Sequence, residues 1–280
     1  MRTLLCTFIV AFVALGQTPA SQPVELPGAA GSVKFAVIGD NGTGKQPQYE
    51  IAQQMSAART RFPFEFVIML GDNLYGNQDV VNKFERPYAP LLQAGVRFQA
   101  ALGNHDDPDN RSYRPFNMGG DRYYTFVEKH VRFFVFDTNL LDQTQLSWIE
   151  ETFRQSQDTW KIAYFHHPLY SDGGRHGSNI ELRVLLEPLL VRSGVDVVFS
   201  GHEHIYQRTV PQKGITYFVE GSSGQLRKGD VHATAMTAAA FDQDQTFMLV
   251  EIAGRQLFFR TISRTGRIVD SGVIALQPET

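Results

Sequence analysis

The chain predicts one mixed α/β domain, and three observations carry that prediction. Short runs rich in Val, Ile and Phe recur and break off at glycine or at a polar residue. Segments of helical period lie between them, and the stretch 247–276 alternates apolar with polar residues around two turn signals. Apolar runs without alternation are buried on both faces, as strands of a sheet covered by helices are. A chain that is 42% hydrophobic, with 21 Phe among 280 residues, can fill such a core.

Residues 1–20 stand outside the domain. Arg2 gives a positive start, Leu4 to Leu15 form an apolar stretch, and Thr18-Pro-Ala20 supplies small residues before Ser21. That is the composition of a signal peptide too short to span a bilayer. It predicts cleavage near Ala20, export to a periplasm or beyond the cell, and no membrane attachment afterwards. The only cysteine, Cys6, lies in this segment, so the mature chain has no thiol for a disulfide, a ligand or a nucleophile. Residues 21–31 (SQPVELPGAAG) read as a loose lead-in, and 32–280 as a single domain.

The elements follow in order. VKFAVIG, from Val33, is the first strand, and Pro47 to Phe62 carries Ile51, Met55 and Ala58 at helical spacing. FEFVIMLG and VRFQAALG are further strands, and the segment from Tyr123 to Asp137 is a hairpin around Lys129-His130. Asp142 caps a helix through Leu146, Trp148, Ile149 and Phe153. After the strand KIAYF, Ser178 caps another helix through Leu189, interrupted at Pro188. VDVVFSG follows, and the tail turns at Ala253-Gly254 and Thr265-Gly266 as antiparallel strands.

Function is written at the ends of the strands. The apolar runs deliver, in turn, Asp40, then Asp72 with Tyr75, then Asn104 and His105, then His166, and last His202 and His204. Ligand types at the carboxyl ends of several strands converge on one sheet edge, where α/β proteins place their sites. Two carboxylates, a phenol, an amide oxygen and three imidazoles are enough for two metal ions about 3.5–4 Å apart with a shared carboxylate. The formal charge of −3, or 25 − 29 = −4 once Arg2 is removed, carries no basic surface for nucleic acid. Small phosphorylated substrates remain open, and no obligate protein partner is evident.

Taken together, Asp40-Asn-Gly42, Gly71-Asp-Asn-Leu-Tyr75, Gly103-Asn-His-Asp106, Phe165-His166 and Gly201-His-Glu-His204 resemble the calcineurin-like metallophosphoesterase superfamily. Within it they resemble the purple acid phosphatases, of the tartrate-resistant type. Most of the superfamily has a histidine two residues after the first aspartate; here Gly42 stands there, and Tyr75 follows the second aspartate instead. The resemblance implies a four-layer α-β-β-α sandwich of two mixed β-sheets flanked by helices, in the short form with a catalytic domain only. It implies Fe(III) on Asp40, Tyr75 and His204, with Asp72 bridging to a second divalent ion (Fe2+, Zn2+ or Mn2+) on Asn104, His166 and His202. A phenolate suits a ferric ion, since only a strongly Lewis-acidic cation deprotonates a phenol at ordinary pH.

The expected activity is acid phosphatase: hydrolysis of phosphate monoesters by a metal-bound hydroxide. His105 and His176 match the family histidines that orient phosphate and protonate the leaving group. A phosphodiesterase or nucleotidase on the same scaffold is the alternative, and a non-catalytic or redox-active iron-binding relative would keep the same ligands. Of the other histidines, His167 is not a ligand in the family pattern, and His130 and His232 read as surface residues. Asp106 is expected to buttress His105, and the loop Gly221-Ser-Ser-Gly224 either lines the cleft or is a plain turn.

Overall fold

A computed structural model describes residues 23–276. The expected signal segment, 1–20, therefore lies outside the described residues, as do 277–280. Strands β1 (Val33–Ile38), β2 (Phe66–Met69) and β3 (Arg97–Ala100) are parallel neighbours in one sheet. Strand β11 (Thr246–Ala253) pairs antiparallel with β1, and β12 (Gln256–Ser263) and β13 (Ile268–Ala275) extend that edge. The order is β13-β12-β11-β1-β2-β3.

The second sheet has seven strands. It contains β4 (Tyr124–Glu128), β5 (Val131–Val135), β6 (Trp160–Tyr164), β7 (Val197–Ser200), β8 (Tyr206–Thr209), β9 (Thr216–Glu220) and β10 (Thr237–Phe241), in the order β10-β8-β9-β7-β6-β5-β4. Strands β5, β6, β7 and β9 run parallel, and the rest pair antiparallel. Helices α1 (Gln46–Arg59) and α2 (Ala89–Gln93) cover the outer face of the first sheet; α3 (Gln143–Gln155) and α4 (Ile180–Arg192) cover that of the second. This is the α-β-β-α sandwich that the resemblance implied.

Period-two geometry explains the layering. In β1, Val33, Phe35 and Val37 enter the core between the sheets with Phe66, Phe133, Phe199 and Phe218, while Ala36 and Ile38 face Ile51 and Met55 of α1. Phe35 stacks on Phe66 at 5.3 Å and meets Phe133 edge-on at 5.3 Å, arrangements that aromatic quadrupoles favour. Runs such as β2 are wholly buried because both faces are covered.

Four expectations change. The lead-in is not loose: the Glu251 carboxylate accepts from Gly28 N (2.7 Å), Ala29 N (2.6 Å) and Ser32 Oγ (2.6 Å), tying it to β11. Asn179, not Ser178, caps α4, its Oδ1 accepting from Leu182 N at 2.9 Å. Helix α4 also continues through Pro188; the carbonyl deprived of its donor belongs to Val184, a residue on the solvent face that is 68% exposed. His130 is half-buried rather than a surface residue, with no hydrogen-bond partner for Nε2. Asp142 does cap α3, accepting from Gln145 N at 2.8 Å.

Candidate metal centre

The parallel strands β1, β2, β3, β6 and β7 end on the same side of the sandwich, and the seven expected ligands stand just beyond them. One group forms around Tyr75. Its hydroxyl lies 2.9 Å from Asp40 Oδ1 and 3.1 Å from His204 Nε2, which is itself 3.3 Å from Asp40 Oδ1. A second group forms around Asn104, whose Oδ1 is 3.0 Å from both His166 Nε2 and His202 Nδ1; those two nitrogens are 3.2 Å apart. Asp72 stands between the groups, with Oδ1 3.4 Å from His166 Nε2 and its carboxylate within reach of Asp40 and His204.

Backbone geometry is bent to achieve this. Asp40 (φ 52°), Asp72 (φ 53°) and His202 (φ 70°) all occupy the left-handed region, which disfavours side chains with a Cβ. Close packing of the loops adds a second constraint. A Cβ on Gly103 would lie 2.2 Å from Asp72 Oδ1, so only glycine lets the β3 loop pass the central carboxylate. The His166 ring is oriented from behind, with Nδ1 donating to Leu70 O at 2.9 Å and Nε2 left to face the centre.

The electrostatics ask for cations. Asp40 and Asp72 are 0% and 1% exposed, and burial together with the neighbouring Asp72 charge holds Asp40 well above the usual carboxylate range. Burial, and then the two carboxylates, push the Tyr75 phenol far up. Burial and the crowding of imidazoles push His202 down to about 2, and His166 also falls well below its ordinary value. Carboxylate, imidazole and amide groups that converge at about 3 Å offer a set of lone pairs a cation between them would use, and such ions invert the local proton affinities. The donor set therefore fits two metal ions, a hard one by the phenol and a borderline one by the imidazoles.

The remaining expected residues flank the centre. His105 is exposed, donates its backbone N–H to Asp72 Oδ1 at 2.9 Å, and packs its ring 4.9 Å from that of Tyr75. The His176 ring lies 4.3 Å from that of His202. Asp106 does not buttress His105; it accepts from Gly103 N (2.8 Å), Leu74 N (2.9 Å) and Asn73 Nδ2 (2.8 Å), tying the β2 and β3 loops together. The Gly221–Gly224 loop supports the site from below, since Ser223 N donates to Gly39 O and Gln225 N to Asp40 O.

Three neighbours are not marked as site residues by the sequence. His167 groups with His166 and His202, its Nδ1 2.9 Å from Thr138 Oγ1. Glu203 and Arg227 contact each other beside His176. The His166-His167 pair is a visible signal for the first; nothing in spacing marks the other two.

Comparisons with known proteins agree with this picture. The family described as Calcineurin-like phosphoesterase matches residues 33–206. Purple acid phosphatase 3 of Arabidopsis thaliana is 30% identical over 273 residues, which cover 81% of this chain and 73% of that protein. Two solved structures share the fold. One is GAP50, the anchor in the inner membrane complex of Plasmodium (TM-score 0.75, 18% identity, 89% of this chain and 90% of that one). The other is purple acid phosphatase PPD1 from yellow lupin (Lupinus luteus) seeds (TM-score 0.74, 20% identity, 89% of this chain and 55% of that one).

Proposed function

Because this chain belongs to the calcineurin-like phosphoesterases, and within them to the purple acid phosphatases, we propose that it is an exported acid phosphatase. In this reading it cleaves phosphate monoesters at a ferric–divalent metal pair. The observation that carries the reading is the Tyr75 hydroxyl, poised between Asp40 and His204 at 2.9 and 3.1 Å. Asp40, Tyr75 and His204 would hold Fe(III); Asn104, His166 and His202 would hold Fe2+, Zn2+ or Mn2+; Asp72 would serve both. Bound there, the pair supplies Lewis acidity and an activated water for in-line displacement at phosphorus.

The chain's own residues do the rest. His105 and His176 flank the two groups on opposite partners, Tyr75 and His202. Either imidazole can hydrogen-bond a phosphoryl oxygen, and one can pass its proton to the departing alkoxide. The buried carboxylates and the Leu70 carbonyl keep the ligand lone pairs aimed inward.

The test is the visible absorption spectrum of the purified protein beside Tyr75→Phe, with p-nitrophenyl phosphate hydrolysis measured on both. A pink or purple band lost in the variant is expected. A colourless protein with both metals bound would overturn the ferric assignment and leave a divalent-metal phosphoesterase.

A second reading has one observation behind it. A cleft of about 640 Å³ runs from Asn104 and His167 to Thr138 and Arg122, enough to seat a second ester group. Rates on a monoester and a diester of the same phenol separate phosphatase from phosphodiesterase. Export is supported by the composition of residues 1–20, and the N-terminus of the protein recovered outside the cytoplasm tests it.

A further inference from the structure

Glu203 sits between two of the proposed metal ligands, His202 and His204, yet its carboxylate contacts the His176 loop and Arg227 instead of the other ligands. It is fully buried. Its Oε1 accepts from His176 N and from Gly177 N (2.6 Å), and its Oε2 faces Arg227 Nη1 at 3.4 Å. Arg227 in turn places Nη2 3.4 Å from His176 Nε2 and donates its backbone N–H to His204 O at 2.9 Å. A Cβ on Gly173 would lie 2.6 Å from Glu203 Oε2, so the loop bearing His176 can approach this carboxylate only through glycine.

We propose that Arg227 is a phosphate-binding residue of the site and that Glu203 is the residue that positions it. The proposal rests on the phosphoesterase reading above and adds a cation to it. A guanidinium carries five N–H donors in a planar fork that matches phosphate oxygens. Here its two side-chain contacts are both long, at 3.4 Å, and the side chain is 26% exposed, so it is held without being saturated. Its backbone bond to His204 O and its Nη2 beside the His176 ring place it at the rim of the proposed metal centre. Glu203 fixes this rim from beneath: one oxygen holds the His176 loop and the other holds Arg227, so imidazole and guanidinium are presented together to the same phosphoryl group.

The experiment compares Arg227→Met, Glu203→Gln and the double variant with the unmodified protein. Readouts are KM and kcat on p-nitrophenyl phosphate, binding of inorganic phosphate by calorimetry, metal content and the visible band. For Arg227→Met, KM and the phosphate Kd are expected to rise together by about tenfold, the scale of one hydrogen bond to a charged group, with kcat changing less. Glu203→Gln, which keeps an acceptor for the loop but loses the charge, is expected to raise both by about threefold. The double variant should be no worse than Arg227→Met, because the glutamine still accepts from the His176 loop and the charge it loses acts through Arg227. Arg227→Lys should recover part of the loss. Unchanged KM and Kd in Arg227→Met, additive effects in the double, or metal loss large enough to account for the change would each overturn the proposal. A parent protein that hydrolyses no phosphoester would overturn the activity reading instead, while phosphate calorimetry on the same variants would still decide the role of Arg227.

Discussion

At Asp40, Asp72 and His202 the chain accepts a left-handed backbone without glycine, at roughly 1 kcal/mol or more each. Strain clustered on proposed ligands marks where stability yields to function. It makes a prediction for Asp72→Asn, which keeps the shape and removes the charge that helps to raise Asp40. Activity should fall by about 10³-fold or more, as when a central electrostatic group is lost. The metal-free variant should nevertheless melt above the metal-free parent, because one buried charge repulsion is gone; a lower melting temperature would show that Asp72 has a structural role. Asp40, Asp72, Tyr75, Asn104, His166, His202 and His204 are legible as residue types because each follows a strand run. Glu203 and Arg227 are not legible. A glutamate between two histidines reads as a spacer, and an arginine in a later loop has no sequence relation to the histidine it meets.

At the scale of single elements, the strands are legible almost to the residue, because burial on both faces leaves an uninterrupted apolar run. Helix starts are less so. Ser178 and Asn179 are both good caps, and only tertiary structure chooses: Ser178 is committed to Ser171, its Oγ accepting from Ser171 N at 2.9 Å and donating to Ser171 O at 3.1 Å. Asn179→Ala should therefore cost about 1 kcal/mol in urea denaturation, the usual loss for a cap. Ser178→Ala should leave α4 alone and instead loosen the loop that carries His176. Equal effects of the two substitutions would sink that division of labour. The lead-in departs from its composition for a physical reason too: Pro and Gly content describes local flexibility, whereas Glu251, far away in sequence, supplies the bonds that hold it.

For the molecule as a whole, pH dependence should reveal an uncompensated buried acid. Glu220 is 0% exposed; its Oε1 accepts from Thr246 Oγ1 at 2.7 Å, and its Oε2 has no partner. Burial pushes its pKa up to about 8. A folded-state pKa above the unfolded value of 4.5 means that the folded state binds the extra proton. The stability Glu220 contributes is thus complete below about pH 4.5 and is lost as pH rises towards 8. A tenfold change in proton affinity is worth about 1.4 kcal/mol, so the total is a few kcal/mol at most. Melting curves of Glu220→Gln should fall less steeply between those limits than those of the parent; parallel curves would place the proton elsewhere.

The pairing of β1 with β11 has a consequence in time rather than in space. The strand that leads to Asp40 lies in mid-sheet, with Val33 opposite Ile252 and Val37 opposite Met248. Synthesis delivers one side of that strand early, through β2, but leaves the other side bare until residues beyond 245 have emerged. Sheets closed by such distant partners form slowly. A chain threaded from its N-terminus across a membrane would therefore reach the far side still unfinished, and would complete its first strand only when its last ones arrive.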